Sequence, residues 1–296
     1  MIFGLSIYFI IMHFFIFGIF GWIYESCFVS IRDRHLVNRG FLVGPFLPLY
    51  GTGATLVYIF LRPFTGNASL LYFSGAIIAT VIEYITSFLL EKIFHAKWWD
   101  YSKEPYNFQG RVALIPSMFW GVLSLLLFDL FEPAVNVIMN LIPEKYKFHI
   151  MYGLIIIAGL DLMYTLITTI NFSKQLETLY YIREELESQL EDISFGSIRD
   201  AISAKTLNLN EKKDIIFEKF KYLKESYGAE SKFASMEQKL KNYFERHTAF
   251  LKRNPMTGAK RIIKAFPTMK YIPKKAISID VKEFINNMNI RNLRRK

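Results

Sequence analysis

Cysteine is all but missing from this chain. Cys27 is the only one, which excludes an internal disulfide and any metal site built on several thiolates. There is no Gly-rich phosphate loop and nothing resembling a Walker motif, so the chain does not bind ATP in the manner of a P-loop ATPase. No HExxH sequence occurs, and no Ser–His or Cys–His pairing marks a nucleophile. His13, His35 and His95 are scattered without metal-ligand spacing. No metal or cofactor is therefore expected. Charge is also sparse: 21% of the 296 residues are charged, against 52% hydrophobic and 17% aromatic. That is too apolar for an ordinary soluble protein of this length.

What charge there is lies at one end. Residues 1–171 hold ten Lys/Arg and ten Asp/Glu, whereas residues 172–296 hold 26 and 16, so the net charge of +10 belongs to the second half. A neutral apolar half followed by a basic polar half reads as a membrane domain and a cytoplasmic tail. The expected fold is all-α: a polytopic membrane bundle followed by a helical, basic tail. The expected divisions are 1–171 for the transmembrane domain, 172–251 for a helical, coiled-coil-like region and 252–296 for the basic tail.

A helix crossing about 30 Å of hydrocarbon needs roughly 20 mostly apolar residues. Five stretches qualify, near 5–31, 41–61, 70–94, 112–131 and 149–171. The first lacks a basic n-region and is too long for a secretory signal, so it reads as a retained span. The second is irregular. "GFLVGPFLPLYGTG" (Gly40–Gly53) carries Pro45 and Pro48 among repeated glycines, and proline removes a helix donor and clashes with the preceding turn. Such backbone survives at membrane depth only where protein buries it or where it lines a wet cavity. It reads as a kinked span, as a broken span contributing to a site, or as a re-entrant segment. A fully re-entrant segment spoils the charge pattern of the loops, so a broken span is preferred.

Orientation follows from Lys and Arg in short loops. Arg32, Arg34 and Arg39 lie in the first loop, and Lys92, Lys97, Lys103 and Arg111 in the third. The second loop holds Arg62, and the fourth Lys145 and Lys147. With five spans the basic loops and the basic tail share a side, which puts the N-terminus outside and the tail in the cytoplasm. The expected location is the cell membrane. The tail stretch "KRIIKAFPTMKYIPKK" interleaves Ile262, Phe266, Met269 and Tyr271 with basic residues. That pattern suits docking on anionic membrane lipids; no nucleic-acid recognition motif supports the alternative.

Ionisable groups at bilayer depth are costly and persist mainly with partners or a function. Glu25 lies one to two turns before the end of the first span, Glu83 near the middle of the third, Glu91 near its end, and Asp161 near the middle of the fifth. At 100° per residue, Thr80, Glu83, Ser87 and Glu91 fall within an arc of about 80°. They form one polar stripe facing the bundle interior. Arg39 and Arg111 stand at span ends where they can reach Glu25 and Glu91, and such pairing lowers the desolvation cost of all four. Glu91 alone can snorkel to water, and Asp161 can be a buried acid bonded to neighbouring hydroxyls. Trp98, Trp99 and Tyr101 fall where an aromatic belt belongs. Asp100 between them is less expected, because an acid at that depth can receive a cation, a proton or a basic partner.

Taken in order, "GWIYE" (Gly21–Glu25), "NRGFLVGPFLPLYGTG" (Asn38–Gly53), the E-x7-E pair with "WWDYS" (Glu83–Ser102) and "NFQGR" (Asn107–Arg111) resemble the CmpB-type family assigned as ABC-transporter permeases, to which animal transmembrane protein 229 is related. "SMFWG" (Ser117–Gly121) resembles the next motif of that family. The resemblance implies a multi-pass membrane protein. Its motif positions here are Glu25, Asn38, Arg39, Glu83, Glu91, Trp99, Asp100, Asn107 and Arg111, which make up the candidate substrate-binding set. Two function classes follow. In the first, a transport component lines a pathway with the broken span and the carboxylates, and the tail recruits a separate ATPase subunit or another cytoplasmic protein. In the second, a membrane-embedded enzyme or binding protein works on lipid headgroups, with Glu25, Glu91 and Asp100 as acid/base groups and Arg39 and Arg111 holding a phosphate. A scaffold recruiting partners through its tail is the third reading.

Overall fold

In the computed structural model the described residues are 4–191, 259–273 and 278–287, with scattered residues between 217 and 250. They form helices almost throughout. Four helical stretches are long and apolar enough to cross a membrane: Ile7–Asp33, Ala68–Phe94, Leu114–Asn140 and Glu144–Tyr181. The chain is thus a polytopic, all-α membrane protein. It divides into two compact units, Met1–Ile170 with Lys260–Met269, and Asn171–Ala259 with Lys270–Lys296.

The first unit is the bundle. Helix α1 (Ile7–Asp33) starts at Ser6, whose hydroxyl accepts from the Phe9 amide at 3.0 Å, and it stops at Arg34 in the left-handed region. Helix α2 spans Pro48–Leu61, with proline in its first turn where the missing N–H costs nothing. Helix α3 (Ala68–Phe94) is capped by Asn67, which accepts from the Leu70 amide at 3.0 Å. Helix α4 (Leu114–Leu126) runs through a π turn at Leu127–Phe131 into helix α5 (Glu132–Asn140). Pro133 has no N–H for the carbonyl four residues back, and the widened turn accommodates its ring. Helix α6 runs from Glu144 to Glu191.

The second stretch expected to span, near 41–61, is not among these four. Helix α2 has 14 residues, about 21 Å of rise, too short to cross alone. It begins beside the middle of α1, where the Leu47 amide donates to the Gly18 carbonyl at 2.9 Å. It then runs antiparallel to α1, past His13 and Phe9, so that Arg62 ends near Gly4. The stretch 35–47 runs beside the other half of α1 as non-helical chain. The Gly/Pro stretch therefore takes a definite form: a non-helical arm followed by a short helix whose N-terminus lies beside the middle of α1.

Glycines let these elements approach closely. A Cβ on Gly51 would fall 2.4 Å from the Phe14 carbonyl oxygen, and one on Gly75 would fall 2.2 Å from the Ser124 hydroxyl. The core gathers Met12, Ile16, Val57, Leu61, Leu127 and Val135 from α1, α2, the π turn and α5. Ile23, Phe28, Phe73, Ile77, Ile156 and Leu160 are exposed along the long helices, the surface that hydrocarbon solvates.

In the second unit, Phe172, Leu176 and Leu179 of α6 are buried, and Tyr180 packs against Tyr271 at 6.3 Å. The short strands Lys270–Tyr271 and Ile279–Asp280 pair antiparallel, followed by the helix Val281–Asn287. Helix α6 reaches Glu191, into the helical, coiled-coil-like region expected at 172–251; most of the remainder of that region lies outside the described residues.

Candidate functional site: a carboxylate layer beside an apolar cavity

The extended arm has to satisfy its backbone without a helix. The Ser30 and Ser26 hydroxyls on α1 accept from the Val37 and Arg39 amides at 2.9 and 3.3 Å. Asn38 accepts from Trp22 Nε1 at 2.8 Å and from the Gly40 amide at 2.9 Å, and it donates to the Val43 carbonyl at 2.9 Å. The carboxylate of Asp161 on α6 accepts from the Val43 and Gly44 amides at 3.0 and 2.7 Å, and from Thr165 at 3.2 Å. The Arg261 guanidinium covers the carbonyls of Gly40, Phe41 and Leu42 at 2.7–2.9 Å. Asp161 is thus an acid bonded to a hydroxyl, as its surroundings implied, and also the clasp that holds the arm.

Glu25 and Glu83 carry the polar layer. Glu25 accepts from the Tyr50 hydroxyl at 2.8 Å and faces Arg39 at 3.5 Å. Arg39 also donates to the Ala265 carbonyl and lies over the Phe266 ring at 5.2 Å. Glu83 is buried, with one oxygen accepting from Trp120 Nε1 at 2.9 Å and the other from the Tyr101 hydroxyl at 3.2 Å. Both of its partners are neutral donors. Burial, and then the charge of Glu83, push the Tyr101 phenol well above its usual range. The rings of Tyr50 and Trp120 meet at 5.4 Å, so the two carboxylates are joined by one aromatic pair.

The remaining candidates lie toward the loop end. Arg111 is 9% exposed; it donates to Glu91 at 2.9 Å and lies over the rings of Phe88 and Tyr84. Both anticipated pairs, Arg39–Glu25 and Arg111–Glu91, therefore form, and Ser87 shares the buried face of α3 with Glu83. Trp99 donates to the Arg111 carbonyl at 2.9 Å, and Asp100 accepts from the Ser102 amide at 3.0 Å. Asn107 donates to the Glu104 carbonyl at 2.8 Å and accepts from the Gly110 amide at 3.0 Å. Trp99, Asp100 and Asn107 thus direct hydrogen bonds into their own loop, and Asn38 ties the arm to Trp22 of α1. These bonds shape the rim on which Arg39 and Arg111 stand.

The aromatic cluster differs from the belt expected at the membrane surface. Trp98 is 2% exposed and packs against Phe41, Phe94 and Phe266, the last at 4.8 Å. Tyr101 turns inward to Glu83. Ile262, Met269 and Tyr271 of the basic stretch are also buried. These apolar residues pack on protein rather than on lipid, because an inward aromatic pocket removes them from water as effectively as the bilayer does.

Next to Tyr50 and Trp120 lies a cavity of about 550 Å³. Its walls are apolar: Phe17, Tyr24, Ala54 and Ile82 are typical, with Leu127 and Phe131 from the π turn. Tyr50 and Trp120 show one face to the cavity and bond the carboxylates with their polar edges. Neither aromatic had been assigned to the site, although both lie in motifs quoted for the family resemblance. Thr55 and Glu132 give no signal in the sequence, and His13 stands there only as a histidine without metal-ligand spacing. The fourth span was expected to end at residue 131, one short of Glu132, and a histidine without neighbours in sequence gives no signal of a partner on another helix. Among the described residues no group of three or more His, Cys, Asp or Glu could hold a metal ion.

The fold and site define a helical membrane protein with a buried carboxylate layer against an apolar cavity. Residues 12–166 match the family described as "Putative ABC-transporter type IV", and the chain belongs to it. It matches no curated protein and no solved structure.

Proposed function

We propose that this chain is the membrane component of a transporter and that its cargo site is the cavity closed by Tyr50 and Trp120. The supporting observation is the state of Glu83. Its carboxylate is buried at bilayer depth and bonded only by neutral donors, so it can still receive a positive charge or a proton. The cargo class is then an amphipathic solute with an apolar body for the cavity and a cationic group for Glu83. Glu25 and Arg39, with Glu91 and Arg111, form the rim through which the site opens to the cytoplasm. The Lys and Arg of the first and third loops support a cytoplasmic rim, with the N-terminus outside and the tail inside. The chain has no phosphate loop, so a separate ATPase subunit supplies energy.

The first test is equilibrium binding of a lipophilic cation, tetraphenylphosphonium, to the full chain in nanodiscs. Glu83→Gln is expected to weaken binding about tenfold, or about 1.4 kcal/mol. Equal affinity in the two proteins sinks the carboxylate role. Copurification of an ATPase subunit tests the transporter assignment separately. The second reading, action on lipid headgroups, draws on the apposition of an apolar wall and a charged rim, which suits an amphipathic lipid equally well. Lipidomics of a deletion strain decides it, because no change in any lipid class argues against that activity.

A further inference from the structure

The bundle contains a second titratable cluster on the far side of the cavity. His13 of α1 has no exposed surface. Its Nδ1 lies 2.9 Å from Thr55 Oγ1 on α2, and its Nε2 lies 2.7 Å from Glu132 Oε1 at the start of α5. Rings close it in: Phe17 at 4.5 Å, Tyr58 at 5.1 Å and Phe9 at 5.5 Å. Glu132 is 6% exposed, and its second oxygen, Oε2, has no hydrogen-bond partner. An unsatisfied carboxylate oxygen in such surroundings is costly. The π turn Leu127–Phe131 immediately precedes Glu132 and brings it to this position, and π turns within helices recur at functional sites.

We infer that His13 and Glu132 form an intramembrane proton-binding site, holding one exchangeable proton between α1 and α5. With that proton bound the pair is neutral overall, as imidazolium–carboxylate or as imidazole–carboxylic acid, and the acid form can place its hydrogen on Oε2. With the proton gone the pair carries one buried negative charge. Thr55 is the partner that allows both states. Its hydroxyl accepts from a protonated Nδ1 and donates to an unprotonated one, whereas a backbone carbonyl would tolerate only the first. Few other charges bear on the pair. Tyr58 faces it from α2 with Arg62 beside the phenol. Asp129 on the π turn is exposed. From α3 and α6 the neighbouring core receives Leu71, Ile78, Met151 and Leu154, none of which titrates.

Phe17 touches His13 and also lines the cavity, and Phe131 adjoins Glu132 and lines it too. A change of one charge at the pair therefore acts on a cavity wall. The site itself stands on the pair, whatever the cavity holds.

Infrared difference spectroscopy of the full chain in nanodiscs, stepped between about pH 5 and about pH 8, tests this directly. The expected result is a carboxyl C=O band that titrates in the native chain and is absent from the isosteric Glu132→Gln variant. Thr55→Val should shift its midpoint, and Thr55→Ser should leave it in place. A band that is unchanged in Glu132→Gln overturns the inference. Should that variant fail to fold, NMR of isotope-labelled histidine in the native chain decides: His13 ring nitrogens whose shifts stay constant over the same range overturn the inference as well.

Discussion

At the scale of single residues, Tyr101 shows what a buried acid asks of its surroundings. Glu83 cannot reach water along α3, so a tyrosine folded inward from a loop and a tryptophan on α4 satisfy its two oxygens. Tyr101 in turn is held neutral, since burial and the charge of Glu83 both raise its pKa. The sign of the linkage follows. A raised pKa means that the native chain keeps its proton where the unfolded chain has lost it. Stability is then fully present below the ordinary tyrosine value of about 10 and is lost as pH rises beyond it. Tyr271, pushed up to about 12 chiefly by burial, acts in the same direction. Melting temperatures in detergent should fall as pH rises above about 10, and Tyr101→Phe should flatten that fall. An equal alkaline slope in the variant would remove Tyr101 from this account.

At the scale of elements, the arm before α2 is where backbone chemistry is hardest to satisfy. A non-helical arm at membrane depth needs a partner for each amide and carbonyl, and here Ser26, Ser30, Asn38, Asp161 and Arg261 supply many of them. The short helix that follows is held against α1 by glycine. A side chain at residue 51 meets the Phe14 carbonyl oxygen, which is part of a helix backbone and cannot swing aside. Gly51→Ala should therefore separate α1 from α2 and cost about 1–3 kcal/mol, read as a lower midpoint of unfolding in detergent. A Cβ on Gly53 meets nothing within 4 Å, so Gly53→Ala is the control and should leave the midpoint unchanged or raise it slightly. If the two variants behave alike, the close approach is not what positions α2.

At the scale of the whole molecule, residues far apart in sequence complete the bundle. Arg261 lies some 220 positions from the carbonyls it covers, and Phe266 fills the pocket formed by Phe41, Phe94 and Trp98. Arg261→Ala would leave three carbonyls unpaired. It should cost a few kcal/mol and speed proteolysis within 259–269. Arg261→Lys should recover little, because an ammonium lacks the planar fork that spans several acceptors. Cleavage at the native rate in Arg261→Ala would mean that this contact does not hold the segment.

Much of this was legible in the chain alone, because hydrocarbon imposes local rules. Runs of apolar residues mark the traverses, Pro45 and Pro48 mark the break, and the four-residue stripe on α3 shows which face carries Glu83. The family motifs, read in order, mark the region that the family profile covers. What the tertiary structure alone decided is which distant groups meet. The pairing of His13 with Glu132, the closing of Tyr50 on Trp120 and the covering of the arm by Arg261 depend on helix registers and on where the chain returns. Neither periodicity nor spacing encodes those registers. They are set by glycine contacts between helices and by the free-energy cost of leaving a buried polar group without a partner.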